Sequence, residues 1–158
     1  MAIGHLEEEI NDVKAYKNNM EHMLFTHVFE ELKSNQAFLR QRSCWIYGQF
    51  GDYKFKDEGH IIKVINSIHE NINDTILPVK LSAALSFEKF LTHKKAMEIV
   101  KPHLGTILKQ YLELMNEIDN EELVSALEYL IDKFEDDIGP FAVELCTQLS
   151  AAYQRLAT

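Results

Sequence analysis

Arg40-Gln41-Arg42-Ser43-Cys44-Trp45 lies on a helical pattern that recurs further along the chain. The stretch aligns with Lys80-Leu81-Ser82-Ala83-Ala84-Leu85 at a shift of 40 residues. Ala84-Leu85 in turn aligns with Ala126-Leu127 at a shift of 42 residues. Each copy is followed, after a short break, by a second helical pattern. A period of about 40 residues built from two helices predicts a stack of helix pairs.

The breaks between these patterns divide the chain into four pairs, at residues 1–34, 35–73, 77–118 and 120–158. Because the connections are short, successive helices should be antiparallel neighbours. The fold class that we predict is therefore all-α: an α-solenoid of about four HEAT repeats in a right-handed superhelical stack. Stacks of this kind usually bind other proteins.

Apolar residues spaced three and four apart locate the individual helices, and polar or proline residues mark the breaks between them. Pro78 suits the start of a helix, since the N–H that proline lacks has no partner at that position. Asn120 is a typical residue for the position just before a helix. The predicted helices are Ala2–Glu9, Lys17–Lys33, Gln36–Phe50, Glu58–Asn71, Pro78–Leu91, Pro102–Ile118, Glu121–Glu135 and Pro140–Leu156, with a short turn at Lys95–Val100.

Each recurring stretch contains a small side chain followed by a large one: Cys44-Trp45, Ala84-Leu85 and Ala126-Leu127. A small side chain lets two helices approach closely, and the large one then fills the gap between repeats. We therefore predict that all six residues are buried between repeats. The alternative for Trp45 is an exposed position where, with Phe25 or Phe38, it helps to form a shallow groove for phenylalanine side chains.

Composition excludes several classes of protein. A hydrophobic content of 46% is ample for a core, so disorder is not expected. No apolar run approaches the ~18 residues that a membrane span needs, and residues 1–9 do not read as a secretory signal. Cys44 and Cys146 lie on separate predicted helices, which indicates reduced cysteines of an intracellular protein.

The net charge of −9 lies entirely in the last third of the chain. Residues 110–158 contain 11 acidic and 2 basic side chains, whereas residues 1–109 are balanced. This distribution argues against direct nucleic-acid binding, which needs clustered Lys and Arg. It suits a surface that attracts basic segments of partner proteins, and the alternative is an ordinary solvated face. The predicted contact residues, here named the acidic set, are Glu113, Glu117, Asp119, Glu121, Glu122, Asp136 and Asp137.

No motif indicates catalysis, a metal or a cofactor. His22 and His27 are five residues apart, which turns them off the common helix face that a metal site needs. Carboxylate pairs such as Glu30-Glu31 lie near predicted helix ends, rather than in the dry cleft that acid–base catalysis requires. Phosphate-binding loops and nucleophile motifs are absent. We therefore predict that the protein is not an enzyme and holds no cofactor.

Two strings carry a resemblance to a known family. Residues 20–32, followed by residues 38–45, resemble the importin-β superfamily of nuclear transport receptors, and more narrowly its importin seven and importin eight branch. The likeness covers nearly the whole chain. Its most specific parts are Arg-x-Arg-x-Cys-Trp at 40–45 and Pro-x-Ala-Val-Glu at 140–144.

The resemblance implies that residues 1–158 are one HEAT-repeat segment of a much longer receptor. It implies binding of cargo proteins, contact with FG nucleoporins in the nuclear pore, and release by the GTP-bound Ran GTPase. It also implies a location in both cytoplasm and nucleus. The main Ran-contacting repeats of the family lie outside the matching region, and no cargo residue can be carried over. The competing hypothesis is a HEAT scaffold of another class, such as a phosphatase or trafficking scaffold.

Overall fold

The structure is a computed structural model that describes residues 19–157. All regular secondary structure in this range is helical. The predicted helix Ala2–Glu9 lies outside the described residues. Seven α-helices are complete within the range: α1 Ala37–Gln49, α2 Glu58–Ile72, α3 Leu77–Lys89, α4 Lys94–Val100, α5 Leu104–Glu117, α6 Glu121–Lys133 and α7 Ala142–Ala157.

An irregular helical segment, residues 19–33, precedes α1 and is here named the first helical segment. It changes from an α-helix to a π-helix at Leu24–Val28 and then to a 3-10 helix at Phe29–Lys33. Leu24 and Leu32 are buried, so the segment packs on the core despite its irregular backbone. Such π-helical turns frequently occur at functional sites.

Side chains cap α2 and α6, the two helices that begin beside the candidate functional sites. Asp57 accepts a hydrogen bond from the Gly59 amide at 2.9 Å and so begins α2. Asn120 accepts one from the Leu123 amide at 2.9 Å and begins α6, as the sequence predicted. Such caps satisfy backbone donors that the first turn of a helix leaves unpaired.

Helices pack with partners that lie one pair further along the chain. Helix α1 packs against α3, and α3 packs against α6. Hydrogen bonds join residues 41 or 42 positions apart across these neighbouring pairs. Ser86 Oγ donates to the Cys44 carbonyl at 2.6 Å, and Gln41 Nε2 donates to Ser82 Oγ at 2.9 Å. The period read from the sequence therefore corresponds to contacts in space.

Glycine allows the closest approach of α1 to α3. A Cβ atom added at Gly48 would lie 2.6 Å from Ser86 Oγ, and one at Gly51 would lie 2.9 Å from the Lys89 carbonyl oxygen. Real Cβ atoms do not approach other atoms this closely. The tight contact between these helices is therefore one turn later than the Cys44-Trp45 pair.

Four of the six residues predicted to pack between repeats are fully buried: Cys44, Ala84, Ala126 and Leu127. Leu85 is partly buried against the core. The prediction for Trp45 is wrong, because its side chain is 53% exposed. On α1, Cys44, Tyr47 and Gly48 face the core, and Trp45 lies about 100° further round the helix from Cys44.

Replacing Trp45 by alanine should therefore lower the free energy of unfolding by less than about 1 kcal/mol, since a half-exposed ring leaves no internal cavity. A buried Trp would cost about 3–5 kcal/mol. Urea denaturation followed by circular dichroism measures the difference. A loss above about 2 kcal/mol would mean that the side chain packs in the core after all.

No helix in residues 19–157 is long and apolar enough to cross a membrane. Within the same residues, no group of three His, Cys, Asp or Glu side chains is arranged to hold a metal ion.

Candidate functional site

The acidic set does not form one patch. Glu117, Asp119, Glu121 and Glu122 are exposed around the connection between α5 and α6. Asp136 and Asp137 follow the other end of α6, and the 13 residues of this helix span about 20 Å. The structure therefore separates the set into two groups, with Glu113 on α5 one turn before Glu117.

Basic side chains of the same chain lie next to four members of the acidic set. Lys80 Nζ donates to both carboxylate oxygens of Glu117, at 3.1 and 3.3 Å, and Arg155 Nε donates to Asp119 Oδ1 at 2.9 Å. The other two pairs are longer, Lys101–Asp137 at 3.8 Å and Lys109–Glu113 at 4.0 Å. Exposed pairs of this kind contribute little to stability. A basic partner could therefore displace them.

A second candidate site, which the sequence did not indicate, lies between the first helical segment and the start of α2. It is an open cleft of about 250 Å³, here named the His60 cleft, lined by Glu21, His22, Phe25, Asp57 and His60. The carboxylate of Glu21 accepts hydrogen bonds from the backbone amides of Lys56 and Asp57, both at 2.9 Å. These bonds fix the carboxylate at the wall of the cleft.

His60 forms the floor of the cleft and is only 3% exposed. Its Nε2 atom lies 3.1 Å from Tyr47 Oη. The rings of Phe25, Phe29, Tyr47 and Phe55 surround it nearly edge-on, with centroids 5.0–6.4 Å away. Burial lowers the pKa of His60 below its ordinary value, although the nearby Glu21 carboxylate opposes this shift.

Several curated relatives of this chain are named as importins. The chain is 31% identical to the importin beta-like SAD2 homolog of Arabidopsis thaliana, over 98% of this chain and 15% of that protein. It is 32% identical to the probable importin-7 homolog of Dictyostelium discoideum, over 98% and 14% respectively, and 29% identical to human importin-8, over 98% and 15%. The chain belongs to the importin-β-like family, in its importin-7/8 branch.

This importin-like chain spans about 15% of the length of the curated relatives that it matches. No family model and no solved structure matches it. The resemblance to importins noted from the sequence is therefore confirmed, and importins are transport receptors rather than enzymes.

Two further features of the importin-like chain's surface are an exposed aromatic pair and a groove. Phe38 is 63% exposed and lies two turns before Trp45 on the same face of α1. The other surface is a groove of about 200 Å³ beside α2, α4 and α5. Its lining is mainly apolar: Ile65, Asn66, His69, Phe87, Ile99, Val100, His103 and Ile107.

Proposed function

We propose that this chain is a segment of a nuclear import receptor, which carries cargo proteins through the nuclear pore and releases them under control of the Ran GTPase. The observation that supports this most directly is the match to importins over 98% of the chain. These relatives favour a transport receptor over a phosphatase or trafficking scaffold. In this proposal the full receptor shuttles between cytoplasm and nucleus.

The proposed architecture is a single segment of HEAT repeats, at residues 1–34, 35–73, 77–118 and 120–158, within a right-handed solenoid. The side-by-side packing of α1, α3 and α6 supports it, because these are the first helices of the second, third and fourth repeats. Hydrogen bonds such as Ser86 to Cys44 and His69 to Gln110 connect equivalent positions of adjacent repeats.

A pull-down of the full-length receptor with Ran tests this function. Ran locked in the GTP state should bind the receptor, and Ran in the GDP state should not. Permeabilised cells supplied with the receptor should accumulate a labelled basic cargo in the nucleus, and GTP-locked Ran should abolish the accumulation. A receptor that binds neither form of Ran would contradict the proposal.

Basic cargo is proposed to contact the acidic set. Glu121 and Glu122 are its most accessible pair, since both are exposed in the first turn of α6. Reversing both to lysine should weaken binding of a basic cargo several-fold and make the binding less sensitive to salt. The same reversal at Asp136 and Asp137, about 20 Å away, shows whether both groups participate. Unchanged binding in both variants would exclude the acidic set.

FG nucleoporins are proposed to contact the exposed face of α1 that displays Phe38 and Trp45. An exposed aromatic pair of this kind can stack on phenylalanine side chains. Trp45→Ala in the full-length receptor should therefore reduce binding to an FG-repeat fragment, while binding to Ran stays unchanged. Loss of both interactions together would instead indicate a folding defect.

A further inference from the structure

The His60 cleft contains an unusual buried atom. Nδ1 of His60 has no hydrogen-bond partner. Among the buried side-chain nitrogen and oxygen atoms of residues 19–157, it is the one that lacks a partner. Buried polar groups in proteins are nearly always paired, so such an atom calls for an explanation. Glu21 Oε1 lies 3.7 Å from it, which is too far for a good hydrogen bond.

The hydrogen bonds of Tyr47 are both satisfied when Nε2 of His60 carries the proton. Tyr47 Oη has a single proton, and it donates to the Leu24 carbonyl at 3.1 Å. The contact between Tyr47 Oη and His60 Nε2 at 3.1 Å is then satisfied by donation from Nε2–H. In the neutral ring this leaves Nδ1 as an acceptor.

Two acceptors therefore lie 3.7 Å apart beside an open cleft: Glu21 Oε1 and the buried His60 Nδ1. Glu21 Oε1 already accepts from the Asp57 amide, and His60 Nδ1 carries no hydrogen when the ring proton is on Nε2, so neither atom donates to the other. The exposed carboxylate of Asp57 adds a second negative charge at the same cleft. A ligand that pairs with both acceptors brings hydrogen-bond donors, and the two carboxylates favour a ligand that also brings positive charge.

We propose that the His60 cleft binds the cationic end of an Arg or Lys side chain from a partner polypeptide. Its N–H groups would donate to His60 Nδ1 and Glu21 Oε1, and its charge would be balanced by Glu21 and Asp57. This inference rests on the proposed function, in which the partner is a basic cargo protein. It adds a specific anchoring position that lies apart from the acidic set.

The rim of the cleft favours a long side chain of a polypeptide over a free small cation. Phe25 is 41% exposed at the rim, and the aliphatic stem of Arg or Lys packs well on such a surface. Lys63 of the same chain already lies over this ring, with Nζ 5.5 Å from its centre. An incoming cation must therefore displace Lys63 from the ring or bind beside it.

The experiment is a titration of the 158-residue chain with a tetra-arginine peptide, followed by the imidazole ¹⁵N resonances of His60. A tetra-citrulline peptide is the uncharged control, and a tetra-lysine peptide tests the second cation. The arginine peptide should bind and shift the Nδ1 resonance, whereas the citrulline peptide should do neither. An equal shift with both peptides, or no shift with arginine, would overturn the proposal.

Matched charge variants locate the binding. Asp57→Asn removes one charge but retains the cap of α2, because Asn caps a helix as well as Asp does. It should weaken the arginine peptide at least about five-fold, and Glu21→Gln should weaken it further. Glu128→Gln makes the same charge change at an exposed position of α6, outside both the cleft and the acidic set, and should alter affinity less than two-fold. Equal weakening by Glu128→Gln, or none by Asp57→Asn, would refute a specific site.

This titration needs neither Ran nor nuclear import, so it separates the cleft from the proposed function. If the peptide fails to bind but the receptor still binds Ran, the cleft proposal alone is wrong. If the receptor fails to bind Ran but the peptide still shifts the His60 resonance, the cleft proposal is supported and the proposed receptor function is wrong.

Discussion

Replacing Gly48 by leucine is expected to lower the free energy of unfolding by about 3 kcal/mol, one of the largest effects of any single substitution in this chain. Overpacking a tight contact typically costs 1–3 kcal/mol or more. At Gly48 even a Cβ atom would meet Ser86 Oγ at 2.6 Å and Ser86 Cα at 3.3 Å. The substitution would also break the bond from Ser86 to the Cys44 carbonyl.

Thermal and urea denaturation of the 158-residue chain measure this effect. Gly139→Leu is the matched control, since no atom lies within 4 Å of a Cβ added there, and it should change stability by less than about 0.5 kcal/mol. Similar stability of both variants would show that α1 and α3 are not in tight contact.

The second large effect is expected at the ion pair between Arg40 and Asp74. Arg40 Nε donates to Asp74 Oδ2 at 2.8 Å, Nη2 donates to Oδ1 at 3.2 Å, and Nη1 donates to the Ser34 carbonyl at 2.8 Å. The side chains are 18% and 9% exposed. Removing one partner of a buried pair costs about 3–5 kcal/mol. Because this pair is partly exposed, Arg40→Met should cost about 2–3 kcal/mol at pH 7.

The same substitution should have a clear pH dependence. Burial raises the pKa of Asp74, but the hydrogen bonds from Arg40 and the Ile76 amide outweigh it and leave the pKa below its ordinary value. A carboxyl whose pKa is lowered on folding stabilises the protein above its unfolded pKa of about 3.9 and loses this effect as pH falls through the folded pKa. The difference between wild type and Arg40→Met should therefore be largest near pH 7 and shrink below pH 4.

Chemical denaturation at several pH values checks this prediction. Lys95→Met is the control, because Lys95 pairs with Glu98 at 3.4 Å on an exposed surface, where both side chains are at least 40% exposed. It should cost less than about 0.5 kcal/mol at every pH. A penalty for Arg40→Met that does not change with pH would show that Asp74 is not ionised in the pair.

Regular apolar stripes made most of the helices predictable. Helix α2 ends one residue later than predicted, and α6 begins at the predicted residue because Asn120 caps it. The predicted turn at Lys95–Val100 is the helix α4, since three residues with 3-10 geometry around Pro102 are enough to join it to α5. A proline such as Pro102 can therefore follow directly after a regular helix.

The sites were less predictable because they depend on residues far apart in the sequence. The small-then-large pattern of Cys44-Trp45 recurs in the other repeats, and this recurrence predicted the same burial for each pair. Tyr47 and Gly48 face the core, however, and this orientation of α1 leaves Trp45 exposed. In the His60 cleft, Glu21 binds the backbone 35 and 36 positions away. Periodicity shows which face of a helix is buried, but it does not show which polar side chains meet.

The hydrogen bonds between neighbouring helix pairs also have a consequence for folding. Several of them join residues 41 or 42 positions apart, as in Gln41–Ser82 and His93–Gly51. The entropy lost on closing a loop depends on the length of that loop. Forming each such bond therefore costs the same entropy whatever the length of the whole protein. A receptor about seven times longer than this chain can therefore fold one unit after another, without a chain-length penalty on each step.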